Sequence, residues 1–160
     1  MGGLNDTSTL VNITSTFLQE TIVVYLIKRN NSYIIMKLLF VCVGNTCRSQ
    51  MAEALAKDMG FKVQSAGTHP GKNIAANAIL VIEELGIEIN NQYPKSIDHI
   101  HTESFDKIIS MGCGVRCPNL LISEDWGLDD PIGKSLDFYR KTREKIQSLL
   151  QKLSQTQTDA

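Results

Sequence analysis

Apolar positions fall in short blocks whose spacing alternates between strand-like and helix-like along most of the chain. Lys37 to Val43 is a nearly continuous apolar run and reads as a short buried strand. Met51, Leu55 and Met59 then recur at helical spacing before Gly60, a natural stop. Val63 to Ala66 reads as a second strand. Asn73 to Leu85 carries Ile74, Ala78, Ile82 and Leu85 on one face and stops at Gly86, the pattern of an amphipathic helix. A polar linker through Asn90, Asn91 and Pro94 follows, with a brief helix expected over Ser96 to His101. Lys107 to Met111 and Leu120 to Ile122 complete the strands, and Ser135 to Leu153 is a closing helix with Tyr139, Ile146, Leu150 and Leu153 inward.

Strands alternating with helices predict an α/β fold, a three-layer sandwich around a central four-stranded parallel sheet. Sites in such sheets lie beyond the carboxyl ends of the strands. Cys42 and Cys113 each sit at or just past a predicted strand end, so both are expected on that rim. Residues 36–153 form the expected domain. Residues 1–35, rich in Asn, Thr and Ser, read as an N-terminal extension, either poorly ordered or upstream of a functional start at Met36; an added strand or helix using Phe17 and Thr21 to Ile27 is the competing reading. Residues 154–160 read as a polar, frayed tail.

Composition removes several classes of function. The chain has 160 residues, 17 acidic against 16 basic, and 6% aromatics, so neither a basic face nor a stacking platform for nucleic acid is evident. Thr21 to Ile27 is too short to span a bilayer and lies between Glu20 and Lys28. Cys42, Cys47, Cys113 and Cys117 lack the context of a secreted disulfide framework, which favours reactive thiols in a reducing cytoplasm.

The chemistry concentrates in the loop Cys42-Val43-Gly44-Asn45-Thr46-Cys47-Arg48-Ser49, between the first strand and the first helix. Free amides at a helix start, with the positive end of its dipole, favour a tetrahedral anion. Gly44 lets the backbone curl around it, and Arg48 adds a planar fork able to hold two oxygens. The same surroundings favour the thiolate: lowering a cysteine from ~8.5 to ~6 raises its ionised fraction at neutral pH from about 3% to about 90%. Ser49 can donate a hydrogen bond to that sulfur. There is no Gly-Lys pair of the ATP phosphate-loop type, and the bland alternative is a Cys42 that merely packs in its strand.

Cys113 and Cys117 lie four positions apart in a segment containing Gly112 and Gly114, and a helical turn brings such thiols to a bridgeable separation of roughly 6 Å. They suit a relay in which Cys113 attacks an adduct on Cys42 and Cys117 then attacks the resulting disulfide. Packing residues, or half of a zinc site with Cys42 and Cys47, are the alternatives, although the spacings are wider than usual zinc knuckles.

Cys-x5-Arg-Ser after a first strand, with Ser65-Ala66-Gly67-Thr68 and Asp130-Pro131, resembles the low-molecular-weight protein tyrosine phosphatase superfamily, which includes thiol-linked arsenate reductases; the resemblance covers about residues 36–153. It implies Cys42 as nucleophile, residues 43–49 as the oxyanion loop, and Asp130, fixed by Pro131, as general acid. Asp129 is a solvated neighbour or a helper. Arsenate reductases of this type carry cysteines at the strand end where Cys113 stands, and the resemblance implies arsenate or phosphate as ligand. It also implies thioredoxin as external reductant, no tightly bound cofactor, and a possible potassium ion at Asn45 and Glu53. Cys47 either traps an oxidised Cys42 or simply starts a helix. Ile132-Gly133-Lys134 stands where related tyrosine phosphatases place aromatics, which argues against an aryl substrate. Arsenate reduction is therefore expected, with phosphatase chemistry and a thiol-based metal or redox sensor as alternatives.

Overall fold

The structure is a computed structural model and describes residues 35–112 and 120–158. The expected extension before residue 35 lies outside the described residues. So do Cys113 and Cys117.

Four strands form one parallel sheet in the order β2-β1-β3-β4: β1 is Lys37–Cys42, β2 Lys62–Gly67, β3 Lys107–Ser110 and β4 Glu124–Asp125. The helices are α1 (Arg48–Asp58), α2 (Ala76–Glu83) and α3 (Leu136–Thr158), with two 3-10 turns at Ile97–His99 and Thr102–Ser104. The predicted four-stranded parallel α/β architecture is therefore present.

Central strand β1 is buried on both sides, which its unbroken apolar run requires. Leu38, Phe40 and Cys42 face a core shared with Met51 and Leu55 of α1, Val81 and Ile82 of α2, and Ile146 and Leu150 of α3. Leu39 and Val41 face a smaller core with Ala66 and Ile108, covered by Ile97, Ile100, Phe105, Leu120 and Ile122. Each fully buried Leu, Ile or Phe contributes roughly 1.5–3 kcal/mol, so this strand is the best-anchored part of the sheet. Trp126 packs on Phe40 with ring centroids 5.2 Å apart and donates from Nε1 to Glu124 at 3.3 Å, which makes it a packing residue.

Several boundaries differ from expectation. Leu120 to Ile122 is not the fourth strand: Leu120 and Ile122 cover the smaller core while Leu121 is exposed, and the polar pair Glu124–Asp125 makes the edge ladder with β3. Helix α2 starts later than Asn73 because Ala75 is extended (φ −62°, ψ 133°) and caps it, with its N–H on the Thr46 carbonyl at 2.9 Å, and Leu85 beyond its end is exposed. Within Ser96 to His101 only Ile97–His99 is helical, a 3-10 turn capped by the Ser96 hydroxyl. Helix α3 continues through the expected polar tail to Thr158. No helix among the described residues is long and apolar enough to cross a membrane.

Candidate active site

The loop between β1 and α1 is shaped from behind. Thr68 N–H donates to the Cys42 carbonyl at 3.2 Å, His69 to Val43 at 2.9 Å, Gly71 to Gly44 at 2.8 Å and Ala75 to Thr46 at 2.9 Å. Gln50 Nε2 takes the Asn45 carbonyl at 3.0 Å and Met51 N–H the Cys47 carbonyl at 2.9 Å. With every carbonyl from 42 to 47 bonded outward, the amides are left on the inner side. Among the described residues, the N–H groups of Gly44, Thr46, Cys47 and Arg48 donate to no carbonyl. Helix α1 opens at Cys47 with no side-chain cap and no acidic residue in its first turn, so its positive end is uncompensated by its own sequence.

The Cys42 sulfur sits at the centre of this ring. It accepts from the Asn45 N–H at 3.0 Å and lies 2.9 Å from Ser49 Oγ. The direction of that second bond follows from the groups behind it. Asn45 Nδ2 donates to Ser49 Oγ at 2.9 Å and to Ser65 Oγ at 2.8 Å, and Ser65 in turn donates to Glu53 Oε2 at 2.5 Å. Ser49 is thereby an acceptor from Asn45, and its single proton is free to point at the sulfur, as an ionised thiolate requires. Asn45 holds a left-handed φ of 49°, a conformation asparagine tolerates better than most residues.

Arg48 is only 7% exposed. One guanidinium nitrogen donates to the Leu128 carbonyl at 2.7 Å and reaches the Met111 carbonyl at 3.4 Å, and the other lies 3.6 Å from Asp130 Oδ1. These bonds tie the first-helix arginine to the exit of β3 and to the loop that carries Asp130. The Asp130 carboxylate is half-exposed and also accepts the Ile132 N–H at 3.2 Å, an Asp-Pro turn that aims it over the cavity. Asp129 is exposed and does not line the cavity.

The cavity measures about 150 Å³ and is lined by Cys42, Val43, Gly44, Thr46, Cys47, Arg48, Asp130 and Ile132. Drug-sized pockets start near ~300 Å³. Sequence reasoning placed Asn45 and Ser49 among the ligand contacts; their side chains sit behind the cavity instead and support the sulfur. Ile132, at the position where related tyrosine phosphatases carry aromatics, lines the cavity with an exposed aliphatic side chain. Cys47 is buried, and its sulfur lies 3.4 Å from the Tyr139 hydroxyl; burial pushes this thiol above its ordinary pKa, so it is held neutral. The Tyr139 partnership had no signal in the sequence.

Asn45 and Glu53 do not fit a potassium site. Asn45 Oδ1 already accepts from Gln50 Nε2 at 3.1 Å and the Lys95 N–H at 2.9 Å. Glu53 Oε1 pairs with Lys57 at 2.6 Å, while Oε2 takes Ser65 and lies 3.6 Å from the Lys95 ammonium. Both groups' oxygens are therefore engaged by protein donors.

A cysteine sulfur ringed by inward amides, one buried guanidinium and a carboxyl across a small cavity defines a site suited to attack on a tetrahedral oxyanion. Residues 37–116 match the family described as low molecular weight phosphotyrosine protein phosphatase, and the chain belongs to that family. It is 38% identical over 130 residues to a glutaredoxin arsenate reductase of Synechocystis sp., covering 74% of this chain and 98% of that protein. A solved arsenate reductase in its phosphate-binding state is 38% identical with a TM-score of 0.69, covering 74% of this chain and 95% of the other. An arginine phosphatase from Geobacillus stearothermophilus is 28% identical with a TM-score of 0.68, covering 78% and 94%.

Proposed function

We propose that this protein reduces arsenate to arsenite. The observation that carries the reading is the 38% identity to an arsenate reductase matched over nearly its whole length, joined to a cavity whose mouth offers Ile132 where an aryl phosphate would need a ring to stack against. In this reading the loop amides and Arg48 hold three oxygens of arsenate, and the Cys42 thiolate attacks arsenic. Asp130 gives its proton to the departing oxygen, which leaves as water. Cys113 then attacks the Cys42 sulfur. The S–As electron pair stays on arsenic, which leaves as arsenite, and a Cys42–Cys113 disulfide forms. Cys117 attacks Cys113 and frees Cys42 as a thiolate, and an external thiol system reduces the resulting Cys113–Cys117 disulfide to two thiols, becoming a disulfide itself.

The resemblance in the sequence suggests thioredoxin as that thiol, whereas the Synechocystis relative is named for glutaredoxin. Arsenate-dependent NADPH oxidation with a thioredoxin system beside a glutathione and glutaredoxin system distinguishes them. Turnover with one of these supports the reading, and none with either refutes it.

Hydrolysis is the second reading, favoured by the arginine phosphatase likeness. It uses the same first step and then water in place of Cys113. Turnover of phosphomonoesters or phosphoarginine far above the rate with arsenate, unchanged when both Cys113 and Cys117 are serine, is its signature.

A further inference from the structure

Glu53 is a buried carboxylate, its side chain 4% exposed, placed directly behind the oxyanion loop. A lone charge there costs several kcal/mol and has to be compensated. Two ammonium groups do so. Lys57, on the same helix, is close but its side chain is 44% exposed, so solvent screens it. Lys95 comes from the distant linker, and its side chain is only 15% exposed. Its ammonium lies 3.6 Å from Glu53 Oε2, reaches the Tyr93 carbonyl at 3.4 Å and stands 5.1 Å over the Tyr93 ring. Lysine is rarely buried to this degree unless it is paired.

The Lys95 backbone holds the same region: its N–H donates to Asn45 Oδ1 at 2.9 Å, and its carbonyl accepts the Gly67 N–H at 2.9 Å. One residue thus grips Glu53, Asn45 and the end of β2. We infer that Lys95 is a positioning residue that supplies the cation behind the oxyanion loop, so that this site works without a potassium ion. The ammonium balances the charge of the Glu53 carboxylate and holds it in place. Glu53 orients Ser65, Ser65 orients Asn45, and Asn45 orients Ser49 toward the Cys42 sulfur.

The test compares wild type with Lys95→Met, Lys95→Arg and, as an exposed control, Lys62→Met, by melting temperature and by inorganic phosphate affinity from calorimetry. Potassium, sodium and choline chlorides are used at matched ionic strength. Wild type should melt at one temperature and bind phosphate equally in all three salts. Lys95→Met should lose stability and bind phosphate about threefold or more weakly, with Lys95→Arg and Lys62→Met near wild type. A saturable, potassium-specific rise in wild-type melting temperature overturns the inference. So does a Lys95→Met protein that keeps wild-type phosphate affinity, whether or not it is less stable. The phosphate arm rests on the oxyanion reading of the loop: if wild type binds no phosphate, that reading fails, and the salt and melting comparisons alone decide the role of Lys95.

Discussion

Gly67, at the end of β2, bears on the oxyanion loop without belonging to it. A Cβ built there lies 2.4 Å from the Val43 carbonyl oxygen, 3.0 Å from Asn45 Cβ and 3.1 Å from the Asn45 nitrogen. Two of these are backbone atoms, so no side-chain rotation relieves the contact. Restoring an ordinary separation of about 3.4 Å requires the loop to move by about 1 Å, and overpacking of this kind costs about 1–3 kcal/mol. Gly67→Ala should therefore lower the melting temperature by about 3–10 °C. The larger effect should be on function, because a misplacement of about 1 Å can cost ~100-fold. Gly71→Ala is the matched control: its Cβ meets the Thr46 methyl at 2.6 Å, the end of a side chain that can turn aside. The assay is phosphate affinity and kcat/KM for arsenate, with far-UV circular dichroism to establish the fold. Gly67→Ala with wild-type affinity and turnover would refute the claim that β2 sets the loop's shape.

Arg48→Lys should keep a positive charge yet lose the fork; with charge-assisted bonds contributing about 1.5–3 kcal/mol each, kcat/KM should fall about 100-fold or more, and a fall below tenfold contradicts the role given to the guanidinium. The same variant should melt lower, because the Leu128 and Met111 carbonyls lose their donor. Hydrogen bonds from Arg140, then Arg143, hold the Glu84 carboxyl down to about 2. A depressed carboxyl adds stability above its ordinary value of 4.5 and loses it as pH falls toward 2, so the urea-midpoint gap between wild type and Glu84→Gln should be present at neutral pH and close between pH 4.5 and 2. A gap that stays constant with pH would count against this linkage.

The parts of the site that were legible in the sequence are the local ones. The apolar run Lys37 to Val43 is long enough to identify a buried strand, and the spacing from Cys42 to Arg48 places the guanidinium at the helix start with no knowledge of the rest. Asp130 was legible only through the family resemblance of its Asp-Pro pair. What escaped was long-range or polar. Lys95 and Gln92 fall in a stretch read as a linker, yet Gln92 Nε2 donates to Gln50 Oε1 at 2.9 Å and Lys95 grips Asn45, 50 residues away. No periodicity marks a polar strap. The two-residue strand Glu124–Asp125 was missed for a related reason: hydrophobic pattern selects the side chains that cover a core, here Leu120 and Ile122, and is blind to an edge ladder of polar residues tied by backbone bonds and the Lys107–Glu124 ion pair. Helix α3 outran its apolar face because residues past Leu153 need no burial to continue a helix already nucleated.

The central claim is that an oxyanion on Cys42 is reduced by protein thiols. A single-turnover experiment tests it most directly: fully reduced protein is mixed with arsenate in the absence of any external thiol, then arsenite, free thiols and disulfide-linked peptides are measured. One arsenite should appear for each two thiols lost, with the disulfide joining Cys113 to Cys42 or to Cys117. No arsenite and an unchanged thiol count would contradict it.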